Sequence, residues 1–467
     1  MGQKIIFHIL LFATFVVFKP AVAQKTSKPS GRSLRTIVTD KYPDGKVLIG
    51  GTTGAWSFGT PTGEIMDREF SYVTPENDFK QRNIHPDNSN HWNWSETDAW
   101  IEHIEAHDQV LRMHGPISPQ CSKWTKEDHR TAEELEKNMT DFFTALCKRY
   151  NDNDRVISMD VVNEIIFDGK WHGDKEGTDQ WELPWIKIGA DNDENQTPLY
   201  IRKAFEIANE HATKKKLILN HHEGPEEIDS WNLIKETVFY LRERGLRVDG
   251  IGWQAHVNNG WSNNIFYPVY LRNLIDWAHQ NDLEFHITEA SVWNKNGNTA
   301  AEIEQQAEDY SKILEILLEK RNSGGVGWNI WHIDDNHGWH TEHYPSLFDT
   351  NYTAKPAYYA IQKVLENPPT TVKDTEDNQP QEFRLFQNYP NPFNPQTTIK
   401  YRLADNSLVQ LNIYSSRGEL ITELINTHQP PGVYKIRWNA REVSSGIYFY
   451  KMTTGEFSTS KKCLVIK

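Results

Sequence analysis

Ile157-Ser158-Met159-Asp160-Val161-Val162 is a short apolar run that passes directly into Asn163-Glu164, and Glu284-Phe285-His286-Ile287 passes in the same way into Thr288-Glu289. Neither run is long enough for a helix, and both are bounded by polar residues, the pattern of a strand buried on both faces. Working outward, the same unit recurs along the chain. Val47-Leu48-Ile49-Gly50, Tyr72-Val73-Thr74 and Gln109-Val110-Leu111-Arg112-Met113 precede it, and Lys216-Leu217-Ile218-Leu219, Gly250-Ile251-Gly252-Trp253 and Gly325-Val326-Gly327-Trp328-Asn329-Ile330 complete a set of eight. Between them lie stretches with apolar residues three and four apart, such as Thr131–Tyr150, Leu199–Ala212, Trp231–Arg244, Tyr270–Asn281 and Ala300–Asn322, which predict amphipathic helices. Eight alternations over roughly 320 residues predict a (β/α)8 TIM barrel, whose usual size is about 250 residues or more. A doubly wound open sheet would show fewer units and often a glycine-rich phosphate turn, which this stretch lacks.

The flanks read differently. Lys4 followed by an apolar stretch from Ile5 to Phe18 and by Ala21-Val22-Ala23 has the order of a cleavable signal peptide, residues 1–23. Residues 24–43 are polar and predict a flexible leader to a barrel spanning 44–367. A Thr/Asp/Glu/Asn/Pro-rich linker follows over 368–381. From 382 to 467 the helical period gives way to short alternating strands separated by turn residues, predicting a small all-β, Ig-like sandwich. The chain carries 50 basic and 64 acidic residues, a net charge of −14, with its basic residues scattered. That disfavours nucleic acid and anionic membrane as partners and selects no partner by itself. Nothing after the N-terminal stretch is apolar enough to span a bilayer. Three cysteines, Cys121, Cys147 and Cys463, have no close pair and no metal-ligand spacing, and a Cys121–Cys147 bridge is left open. Seventeen tryptophans suit stacking on sugar rings, although many of them must serve the core.

Barrel active sites lie at the C-terminal ends of the strands, where Glu164 and Glu289 fall. A lone glutamate there is more often an ion-pair residue of a loop. Two of them, after strands four and seven, are what retaining glycoside hydrolysis requires, with carboxyls about 5–5.5 Å apart. One gives a proton to the leaving oxygen while the other, ionised, attacks the anomeric carbon.

Five segments, in order, carry a resemblance: Thr74-Pro75-Glu76-Asn77-Asp78-Phe79-Lys80, Asp160-Val161-Val162-Asn163-Glu164, Asp249-Gly250-Ile251-Gly252-Trp253-Gln254-Ala255-His256, Ile287-Thr288-Glu289 and Trp331–Trp339. Over nearly all of 47–366 the chain resembles family 10 glycoside hydrolases, the endo-β-1,4-xylanases. The resemblance implies Glu164 as acid/base and Glu289 as nucleophile. It implies Asn163 on the sugar 2-hydroxyl, His256 orienting Glu289, and Gln254 and Asn220 in the same polar layer. Glu76, Asn77 and Lys80 would hold sugars on the non-reducing side, His114 is kept from the family pattern, and Trp331 and Trp339 would wall the cleavage point. Trp253, mid-strand, reads as core. His221-His222-Glu223 suggests metal ligands, but neighbouring side chains on an extended segment point opposite ways, so neither metal nor cofactor is expected. The chain departs from the pattern after strand three, where Ser118 and Pro119 stand for a usual Trp and His. That departure predicts a substituted xylan or related β-linked plant or algal glycan as substrate, with the Trp- and Asp-rich 169–195 segment supplying the missing contacts.

Residues 382–467 resemble the C-terminal sorting domain of type IX secretion, through Asn388-Tyr389-Pro390-Asn391-Pro392-Phe393-Asn394-Pro395, Gly432-Val433-Tyr434, Ser445-Gly446-Ile447-Tyr448 and Lys461-Lys462. The expected partners are a xylan-like polysaccharide and the type IX machinery, and the expected product is a monomeric enzyme, secreted or attached to the cell surface. A carbohydrate-binding sandwich would instead expose aromatics such as Tyr414, Tyr434 and Trp438 on one face. A non-catalytic glycan-binding barrel is disfavoured by the presence of both carboxylates and Asn163. A metal-dependent amidohydrolase barrel would need a His-x-His pair where Thr53-Gly54-Ala55-Trp56 stands.

Overall fold

The computed structural model describes residues 28–369, 383–429, 432–455 and 457–467. The expected signal peptide, and the expected linker beyond Pro369, lie outside the described residues. Eight strands, β1 (Val47–Thr53), β2 (Tyr72–Pro75), β3 (Val110–Met113), β4 (Val156–Asn163), β5 (Lys216–His221), β6 (Gly250–Trp253), β7 (Glu284–Trp293) and β8 (Val326–Ile330), pair in parallel in chain order. β8 pairs with β7 on one side and with β1 on the other, in the register Val47 to Val326 and Ile49 to Trp328, so the sheet closes into the barrel the alternation predicts. Burial of nearly every strand residue explains the continuous apolar runs.

The helices follow the 3.6-residue pattern closely. Ala132–Tyr150 begins at a capping box in which Thr131 and Glu134 each satisfy the other's backbone N–H, and Leu135, Met139, Phe142, Phe143 and Leu146 form its buried face. One expectation is corrected by the fold. Part of the predicted flexible leader forms a helix, Leu34–Lys41, capped by Ser33, with Leu34, Ile37 and Val38 buried. It is tied to the last barrel helix, Pro356–Glu366, where Gln362 donates to the Arg32 carbonyl (2.7 Å), and Tyr42 donates to the Leu365 carbonyl (3.0 Å). Those three apolar residues at i, i+3 and i+4 are enough for one buried stripe, and the surrounding Ser, Lys and Arg obscure it.

Among the described residues, the C-terminal domain has seven strands: β9 (Arg384–Leu385), β10 (Gln396–Leu403), β11 (Ser407–Ser415), β12 (Leu420–Gln429), β13 (Gly432–Asn439), β14 (Gly446–Thr454) and β15 (Phe457–Val465). They form two antiparallel sheets, β9-β10-β13 and β12-β11-β14-β15. One core lies between them, built from Ile399, Tyr401, Leu411, Ile413, Trp438, Tyr450, Met452 and their neighbours. Trp438 is buried in it and Tyr434 packs against it, so neither belongs to an exposed aromatic face. Among the described residues, no helix is long and apolar enough to cross a membrane.

Candidate active site

β4 and β7 deliver their glutamates by a common device. The pairing of β4 with β5 shifts register between Asp160 and Val162, and that of β7 with β8 between Ile287 and Ala290. Irregularities of this kind re-aim the side chains beyond them. Each glutamate then anchors its own backbone on the next strand end: the Glu164 N–H donates to the Asn220 carbonyl and the Glu289 N–H to the Gln254 carbonyl, both at 3.1 Å. The backbone turns left-handed at Glu164 (φ 59°), at Ala255 beyond β6 (61°) and at His332 beyond β8 (71°). A residue with a Cβ pays roughly 1–2 kcal/mol for that conformation, which packing around a functional site commonly sustains.

The two carboxylates are joined by a chain of amides. Asn163 Nδ2 donates to Glu164 Oε1 (3.1 Å), and Asn220 Nδ2 donates both to Asn163 Oδ1 and to Glu289 Oε1 (each 2.8 Å). Thr288 fixes the orientation of Asn220 by donating to its Oδ1 at 2.7 Å. Gln254 adds a second donor to Glu164 Oε1 at 2.8 Å, leaving the other carboxyl oxygen for the cleft. Close approach at this layer depends on Gly252, where a Cβ would stand 2.5 Å from Asn220 Oδ1 and 2.6 Å from Thr288 Cγ2.

Glu289 sits among two histidines and an arginine. His256 Nε2 is 3.4 Å from its Oε2 and His114 Nδ1 is 3.7 Å from its Oε1. Burial alone would raise the Glu289 carboxyl, but His114, His256 and Arg112 together hold it down at about 2. His114 Nδ1 also faces Asp160 Oδ2 at 2.8 Å, and Arg112, inside the barrel, donates to the Thr288 carbonyl at 2.9 Å. Lys80 is lowered to about 8 by burial, with Glu289 and Glu76 opposing that effect, and its Nζ donates to Asn77 Oδ1 at 3.1 Å.

A cleft of about 580 Å³ opens over these groups. Glu76, Asn77, Lys80, His114, Glu164, Gln254, His256, Glu289, Trp331 and Trp339 all line it, whereas Asn163 and Asn220 lie buried behind the carboxylates. Trp331 is almost buried, Trp339 is 42% exposed, and Trp293 lies parallel to the His256 ring at 5.7 Å. Residues outside the sequence expectation also line the cleft, among them Arg82, Gln120, Phe167, His222 and Trp293. The 169–195 segment contributes His172, Gln180 and Trp181, and Trp181 comes within 6.3 Å of Trp339. Ser118 and Pro119 are buried and do not line the cleft.

The 169–195 segment is firmly held. Leu183 and Trp185 are buried in the barrel's core, and the buried Lys126 ammonium donates to the carbonyls of Asp179 (2.9 Å) and Gln180 (2.7 Å). His172 Nδ1 lies 2.8 Å from the Glu164 carbonyl oxygen and its Nε2 contacts the Trp181 carbonyl, so one ring links the segment to the acid/base candidate. His221 is fully buried against Trp231 while His222 turns to the cleft, the opposed orientation expected of neighbours on a strand end. All three cysteines are free and buried.

The Glycosyl hydrolase family 10 model matches residues 38–364, more than half of the chain. The chain belongs to glycosyl hydrolase family 10. It is a glycoside hydrolase whose residues 387–467 match a second model, that of the secretion system C-terminal sorting domain. Endo-1,4-beta-xylanase A of Caldicellulosiruptor saccharolyticus is 31% identical over 323 residues, covering 64% of this chain and 87% of the relative. Endo-1,4-beta-xylanase B of Thermotoga neapolitana is 28% identical over 310 residues, covering 65% and 83%. Among solved structures, xylanase 10B from Thermotoga petrophila in complex with xylobiose is 27% identical with a TM-score of 0.61, over 73% of this chain and 99% of that one. Native xylanase 10B from Thermotoga maritima is 28% identical with a TM-score of 0.60, over 72% and 98%.

Proposed function

We propose that this family 10 barrel is a retaining endo-β-1,4-xylanase, with Glu289 as nucleophile and Glu164 as acid/base. The observation that carries the reading is the pair of glutamates at the ends of β4 and β7, facing one cleft but in unlike settings. Glu289, held ionised by His114, His256 and Arg112, attacks the anomeric carbon as Glu164 protonates the leaving oxygen. A covalent glycosyl-enzyme results. Glu164, now ionised, then takes a proton from the water that releases the sugar. Asn163 has a second Nδ2 hydrogen for the sugar 2-hydroxyl beyond the one it gives Glu164. Trp331 and Trp339 supply the apolar wall, and Glu76, Asn77 and Lys80 bind hydroxyls on the non-reducing side. The relatives named as endo-1,4-beta-xylanases support xylan as the backbone.

The sorting domain supports export through type IX machinery to the medium or the cell surface. A reducing-sugar assay on a panel of β-linked polysaccharides tests the activity. Release of new reducing ends from xylan, with falling viscosity, is expected. Activity confined to another backbone would overturn the reading.

A further inference from the structure

The cleft holds one cation that this chemistry does not use. Arg82 stands two residues beyond Lys80, is half-buried and lines the cleft. Its Nη1 donates to the neutral Gln120 Oε1 at 3.0 Å, and no described carboxylate oxygen lies within the 4.0 Å of an ion pair. Arg112 has Asp160 as an acidic partner. Lys80 and Lys126, like Arg82, bond neutral oxygens, but Lys80 is already given to sugar hydroxyls and Lys126 holds the 169–195 segment. In a chain with 64 acidic and 50 basic residues, a half-buried guanidinium without an acidic partner goes against the average. The wall around it is the stretch where the sequence was expected to depart from the family pattern. Ser118 and Pro119 are buried and do not line the cleft, whereas Gln120 does and holds Arg82.

We propose that Arg82, positioned by Gln120, binds an anionic substituent of the glycan, a carboxylate or a sulfate ester, on a sugar at the non-reducing side of the cleavage point. The inference rests on the glycanase reading above. The side follows from the shared segment: Glu76, Asn77 and Lys80 come from the loop after β2, and Arg82 from the short helix Gln81–Ile84 that directly continues it. A guanidinium presents a planar fork that meets two oxygens of a carboxylate or sulfate at once, and partial burial strengthens the pairing. Arg82 touches no reacting atom, so its effect belongs in binding rather than in bond breaking.

The full-length enzyme and its Arg82→Gln and Arg82→Lys variants are compared on xylo-oligosaccharides of one backbone length. One is bare, one carries a uronic acid, one carries the same side sugar with its carboxyl reduced, and one carries a sulfate ester. The wild type is expected to favour at least one charged substrate over its neutral counterpart by about tenfold in kcat/KM, the size of one charge-assisted hydrogen bond. The gap should lie mainly in KM and shrink with added salt. Arg82→Gln should bring the ratio near one, and Arg82→Lys should keep part of it. The carboxylate and sulfate arms identify the source of the charge. Equal wild-type constants on charged and neutral substrates overturn the inference, as does an Arg82→Gln variant that preserves the ratio. No hydrolysis of any arm would instead overturn the xylanase reading itself.

Discussion

Replacing Gly252 by alanine should cripple the enzyme although residue 252 touches no substrate. A Cβ at this position meets Asn220 Oδ1 at 2.5 Å and Thr288 Cγ2 at 2.6 Å, about 1 Å inside ordinary contact distance. Neither neighbour is the loose end of a flexible chain. Asn220 is held by Thr288 at 2.7 Å and by Asn163 and Glu289 at 2.8 Å, so relief must come from moving the amide that joins the two carboxylates. Overpacking of this kind costs about 1–3 kcal/mol of stability, and a displacement of about 1 Å at the reacting groups lowers turnover roughly 100-fold. The assay is kcat on an aryl xyloside with a good leaving group, alongside thermal unfolding. Because the damage passes through Asn220, it should be much smaller in an Asn220→Ala background, a non-additivity that a double-mutant cycle reads directly. Wild-type turnover in Gly252→Ala, or strict additivity with Asn220→Ala, would refute the reasoning.

Glu289→Ala should abolish hydrolysis whatever the leaving group, while Glu164→Ala should retain part of its rate on aryl glycosides that need little protonation; identical leaving-group profiles would reverse or dissolve the assignment. His114→Asn removes one of the groups that hold the Glu289 carboxyl at about 2 against burial, so the acid limb of kcat/KM should move to higher pH. The sign for stability follows: a depressed carboxylate stabilises the fold above its unfolded value near about 4.3 and loses that contribution as pH falls towards 2. His114→Asn should therefore shrink the stability gained between those pH values, measured by urea unfolding. Ending the chain after Pro369 should leave the barrel's Tm and catalytic constants unchanged, since barrel and sandwich have separate cores, and in the native host should retain the protein in the periplasm.

The barrel was legible because each strand is buried on both faces and each helix on one, so periodicity alone separates them. β4 and β7 advertised the site by ending in glutamate. The leader helix escaped because three apolar residues make a stripe too brief to stand out from Ser33, Arg35 and Lys41. β12 is hard to read in sequence for a related reason: every residue of Leu420–Gln429 is exposed or half-buried, so its alternation has little to register against a core. The amide chain from Glu164 to Glu289 was visible as residues but not as connections, because Asn163, Asn220 and Gln254 come from the ends of three different strands. Arg82 and Gln120 gave no signal, since a lone arginine in a polar loop is usually solvated. Trp181 and His172 were foreshadowed only by the composition of their segment.

The 169–195 segment is gripped by main-chain oxygens, which every amino acid supplies: those of Asp179 and Gln180 by Lys126, and that of Trp181 by His172. The side chains of Gln180 and Trp181 are therefore free of any duty in anchoring their own loop. Exchanging them should alter which glycan the cleft accepts without loosening the loop that presents them. Anchorage and selectivity are thus written in different atoms of the same residues, which makes these two positions the natural place to randomise in a library seeking new specificities.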